Sequence, residues 1–118
     1  MGLPPSNGTS VVVAKIIEVY DERLEIHPCS EVACVALVKL EKVKKRSSGF
    51  TSILDENQEG DMRFAFTLAE TTKALFPNLD KRFPGLEEGD RFEANIKEEL
   101  LLGSGKTRWV AYEYILLN

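Results

Sequence analysis

Apolar and polar positions alternate at period two over much of the chain, and the alternation predicts five strands. Residues 11–20 are dense in β-branched side chains, with Val11, Val13 and Ile17 on one face and Val12, Ala14 and Ile16 on the other. Apolar residues on both faces predict a strand covered on both sides for part of its length. Residues 32–43 predict a long second strand, bent midway, that sets Val35, Leu37 and Val43 against Cys34, Ala36, Val38 and Leu40. The clearest alternation lies in residues 61–68, where Met62, Phe64, Phe66 and Leu68 face inward and Asp61, Arg63 and Thr67 outward. Along residues 91–101, Phe92, Ala94 and Ile96 point in, while Arg91, Glu93, Asn95 and Lys97 point out. A hairpin tip at Gly103, Ser104 and Gly105 returns the chain as a fifth strand over residues 107–117. Two faces of that strand compete for the interior: Val110, Tyr112, Tyr114 and Leu116 against Trp109, Ala111, Ile115 and Leu117.

Between these runs the pattern breaks. Residues 1–10 are Pro, Gly, Ser and Asn with little apolar content, which predicts a loose tail ahead of one domain over residues 11–118. Residues 23–30 read as a connection, and residues 44–60 as a long polar loop with Phe50, Ile53 and Leu54 available to hold it to the surface. Residues 70–76 suffice for about two helical turns, stopped by Pro77, whose ring cannot continue a helix. The expected class is therefore all-β with one short helix, in the order β-β-β-α-β-β.

Five strands with a short helix between the third and fourth resemble the oligonucleotide/oligosaccharide-binding barrel, the OB-fold, over residues 11–117. The runs VVVAKIIEVYD, VACVALVKLEKVKKRSSG and GDMRFAF also resemble the opening strands of netrin-like domains, which are OB barrels used in protein contacts. The resemblance implies a five-stranded OB-like Greek-key barrel and a role in binding. A fold of this kind transfers no site by itself.

At 118 residues, with 43% hydrophobic and 29% charged residues, the chain has room for one domain with a real core. This composition excludes collagen, coiled coil and wholesale disorder. No window approaches the ~20 consecutive apolar residues of a membrane helix, and the N-terminus has neither a basic start nor an apolar core, so a cytoplasmic protein without a membrane partner is the expectation. With 15 Lys and Arg against 19 Asp and Glu the net charge is -4, which weighs against a ligand rich in phosphate.

Candidate chemistry is sparse. GSGKT at residues 103–107 resembles the end of a phosphate-binding loop, but Leu100 stands where the first glycine is required, and a strand follows where a helix must. Myristoylation and glycosylation patterns in residues 1–9 imply opposite compartments and read as chance. His27, Cys29, Glu31 and Cys34 offer metal-ligating groups without a Cys-x2-Cys knuckle or a second pair. Their cysteines read as structural thiols, ahead of a disulfide, which requires an oxidising compartment, and of a small metal or thiol site at His27, Cys29 and Cys34. No cofactor is implied.

Lys39, Lys42, Lys44, Lys45 and Arg46 make a basic run on the second strand and its following loop, with Glu41 within it. Together with Phe50, Trp109 and Tyr112 as stacking surfaces, Lys42, Lys44, Lys45 and Arg46 form the candidate ligand-binding set. Edge lysines are also a common guard against strand pairing. The leading expectation is thus a non-catalytic binding module for a protein partner, using the loop over residues 44–60 and the edge of the second strand. The alternative is single-stranded nucleic-acid binding through the basic edge.

Overall fold

A computed structural model describes residues 9–21, 23–25, 29–45, 54–65, 68, 83–101 and 106–117. It contains β1 (Ser10–Val19), β2 (Val35–Lys45), β3 (Glu59–Phe64), β4 (Arg91–Leu100) and β5 (Thr107–Leu116). They close into one barrel in the order β1-β2-β3-β5-β4, with β4 returning to β1. All contacts between neighbours are antiparallel except that of β3 with β5, which run parallel over Met62–Trp109, Arg63–Val110 and Phe64–Ala111. The chain is thus an all-β, five-stranded closed barrel, consistent with an OB-like barrel. The short helix expected at residues 70–76 lies outside the described residues, as do Phe66 and the hairpin tip at residues 103–105. No helix among the described residues is long and apolar enough to cross a membrane.

The interior follows from the alternation. Val12, Ala14 and Ile16 of β1, Ala36, Val38 and Leu40 of β2, Met62 and Phe64 of β3, and Phe92, Ala94 and Ile96 of β4 meet in one cluster. Phe64 meets Phe92 edge-on at 5.4 Å between ring centroids and Tyr114 at 6.1 Å, an edge-to-face geometry that aromatic quadrupoles favour. Connecting segments add Leu54, Leu68, Phe83 and Leu86 to the same cluster. Phe83 stacks on Tyr114 at 4.9 Å, and the Gly85 N–H donates to the Tyr114 hydroxyl at 2.7 Å, so one tyrosine fastens this segment to the barrel.

Strand irregularities account for the departures from simple alternation. Between β1 and β2 the partners step from Ala14–Leu40 to Val13–Lys42, which carries Val43 to the inner side that Leu40 occupies. Between Ile16–Val38 and Glu18–Leu37 the extra residue is Ile17, and it is exposed. On β5 the step from Ile96–Ala111 to Asn95–Glu113 leaves Tyr112 as the inserted residue of a bulge. Trp109 and Ala111 therefore point inward before the bulge and Tyr114 after it, so each of the two competing faces supplies part of the interior.

The strand limits also differ from expectation. β2 continues to Lys45, so Lys44 and Lys45 belong to the strand rather than to the loop after it. β3 starts at Glu59 and stops at Phe64, after which the Ala65 N–H still donates to the Ala111 carbonyl at 2.9 Å, one more bond of the seam with β5.

Candidate functional site

On the outer face of β3, Arg63 stands between Val35 of β2 and Val110 of β5, its neighbours in register. Both valines are buried although they lie outside the core cluster, so this part of the outer wall is covered. Beside them, Glu99 of β4 and Arg108 of β5 are direct cross-strand partners. The three charged side chains converge. Arg63 donates from Nε and Nη2 to the two Glu99 carboxylate oxygens, both at 3.1 Å, and Arg108 donates from Nε to Oε2 at 2.8 Å. One carboxylate thus serves two guanidinium groups whose side chains are only 25% and 15% exposed. Burial pushes the Glu99 carboxyl up, but the hydrogen bonds and charges of both arginines outweigh it and hold the group below its usual value.

The arginines open on a cleft of about 370 Å³ lined also by Leu24, Glu25, Cys29 and Ala65. Leu24, Glu25 and Cys29 come from the β1–β2 connection, which is folded tightly: the Leu24 N–H donates to the Cys29 carbonyl at 2.9 Å. The fold holds that connection through a Cys29–Cys34 disulfide, which corrects the expectation of structural thiols. Cys34 was expected inside the second strand but sits one residue before β2, where the turn after Cys29 brings their Cα atoms to 5.5 Å, within bridging range. The Cys34 carbonyl then accepts from the Phe64 N–H at 2.7 Å, tying the bridge to β3 beside Arg63. With both sulfurs bonded to each other, neither is a thiolate for zinc or for nucleophilic attack, and His27 lies outside the described residues. Among the described residues no three His, Cys, Asp or Glu groups gather as metal ligands.

The residues proposed from sequence are scattered. Lys42, Lys44 and Lys45 are exposed on the far half of β2, but the Lys44 ammonium pairs with the buried Glu93 of β4 at 2.8 Å. Nearby, Glu41 accepts from Arg91 at 2.6 Å, so this edge is partly neutralised. Arg46 and Phe50 lie outside the described residues. Trp109 is 6% exposed, and its indole packs over Gly60, so it is interior packing and offers no open face for stacking. Of the two described stacking candidates Tyr112 is the exposed one, with the Lys97 ammonium 5.7 Å over its ring.

Arg63, Glu99 and Arg108 were not singled out from sequence, because each reads singly as an outward charge on an alternating strand. The pairing of Glu99 with Arg108 could be counted outward from the hairpin tip. Arg63 comes from a distant strand and leaves no local signal. No protein-family model, curated protein or solved structure matches the chain.

Proposed function

We propose that this barrel is a non-catalytic binding module that holds a protein partner at the cleft of Arg63, Arg108 and Glu99. The observation that carries the reading is two largely buried guanidinium groups oriented by one carboxylate and supported on three strands. Polar groups fixed on rigid elements beside apolar walls are the usual makings of a specific binding site. The strand order and parallel closure support counting the chain among OB-like barrels. The disulfide favours an oxidising setting over the cytoplasm first expected.

In the test, the purified chain and an R63A/R108A variant are used as baits, with retained fold checked by circular dichroism. The reading expects a saturable protein partner for the native bait and at least a tenfold loss for the variant, the scale of losing charged hydrogen bonds at a desolvated site. Equal capture by both baits overturns it.

Single-stranded nucleic acid at the β2 edge is the second reading, favoured by the exposed Lys42 and Lys45, which have no ion pair among the described residues. It expects affinity for a mixed-sequence oligonucleotide that falls with salt and weakens in K42E/K45E. Unchanged binding in that variant removes it.

A further inference from the structure

The donors of the cleft are not all used. Arg63 spends Nε and Nη2 on Glu99, and Arg108 spends only Nε. Among the described residues neither arginine makes any other hydrogen bond or ion pair, which leaves Nη1 of Arg63 and both terminal nitrogens of Arg108 without an acceptor there. A guanidinium removed from most of its water gains from a charged acceptor, and its planar fork matches one carboxylate. Charge limits what that acceptor is. The two arginines less Glu99 leave a single positive charge, and Glu25 on the same lining adds a negative one. A monoanion balances the inner group of Arg63, Arg108 and Glu99, whereas a dianion leaves that group with an excess negative charge beside Glu25. Leu24, Ala65 and the Cys29 side of the disulfide supply apolar wall for a short carbon stem.

We infer that the cleft binds a single carboxylate, presented by a partner protein as an acidic side chain or as its chain end, on the unused donors of Arg108 and Arg63. Glu99 acts as a built-in counter-anion: it orients both forks and makes the site selective for one negative charge over two. The inference rests on the binding-module reading and names the group recognised.

The test follows the Nε–H signals of Arg63 and Arg108 by NMR in the full oxidised chain. Four probes are titrated: an N-acetylated, C-amidated peptide with one internal Glu, an N-acetylated peptide without charged side chains that keeps its C-terminal carboxylate, the C-terminal amide of the latter, and inorganic phosphate. Either carboxylate peptide is expected to saturate the shifts in the millimolar range, the amide to do nothing and phosphate to bind at least tenfold more weakly. The better of the two carboxylate peptides identifies the source. R108A removes the response, and E99Q, which frees one positive charge, raises phosphate affinity about tenfold. Phosphate binding as tightly as carboxylate, or no shift with any peptide, overturns the inference. If the peptides fail while R63A/R108A still loses its captured protein, the ligand class falls and the binding-module reading stands; if the variant keeps that protein, the reading itself falls.

Discussion

A single atom sets the limit at Gly60. A Cβ on Gly60 would stand 2.9 Å from Cη2 and Cζ3 of the Trp109 indole, and the buried ring has no free end to swing aside. Gly60→Ala is therefore expected to cost about 1–3 kcal/mol, read as a lower urea midpoint with an unchanged slope. Titration acts on other residues. Glu99 is held below its usual value of 4.5, so its contribution to stability is complete above that pH and is lost as pH falls through the lowered value. Tyr20 donates its hydroxyl to Asp61 at 2.8 Å, and that bond, then burial and the nearby carboxylates, pushes the phenol from 10.0 up to about 12. The raised value means stability that is complete below pH 10.0 and lost on the way to about 12, with Tyr114 adding in the same direction through its burial. Urea unfolding across pH is expected to show a shallower acid limb in E99Q and a shallower alkaline limb in Y20F. Limbs that coincide with the native protein's remove these assignments.

At the scale of elements, alternation made the strands and most of the interior legible, since residues such as Phe92, Ala94 and Ile96 obey a period of two without interruption. It misled wherever one residue was inserted. Tyr112 reverses the phase of β5, so no single face of that strand could have been chosen from sequence, and Val43 reached the interior through a similar step in β2. The lysines at the end of β2 looked like loop because charged residues carry no apolar rhythm. The disulfide between residues five apart ranked behind structural thiols, because the sequence does not say how tightly the connection turns. That bridge closes a short loop, for which chain entropy gives about 2 kcal/mol. Reduction, or C29S/C34S, is expected to lower stability by about that amount and to loosen the Leu24 wall, seen as faster exchange of the Leu24 amide. An unchanged urea midpoint would remove the bridge from the structural account.

For the whole molecule, closure depends on unequal seams. β4 and β5 pair from Phe92–Leu116 to Leu100–Thr107, whereas β3 and β5 pair only from Met62–Trp109 to Phe64–Ala111. Few backbone bonds and a parallel arrangement make the latter the weak line of the barrel. Native-state hydrogen exchange is expected to show the Ala65 amide, bonded to Ala111, exchanging before the paired amides of β1 with β2 and β4 with β5. Uniform protection around the barrel would contradict this. The cleft lies beside the same seam, with Arg63 on β3 and Arg108 on β5, and it was the least legible feature of the sequence. Glu99 and Arg108 meet within the β4–β5 hairpin, and Arg63 joins them only when the barrel closes.

The bulge at Tyr112 also bears on ancestry. In β5 the buried inward residues fall at 109, 111 and 114, a step of two followed by a step of three. Drift can replace the side chains one by one while apolar character persists at those positions, since moving the inserted residue would turn half the strand inside out. Distant kin of this chain would keep that uneven rhythm, with a small residue opposite a bulky ring at the place of Gly60, long after identity between them had faded.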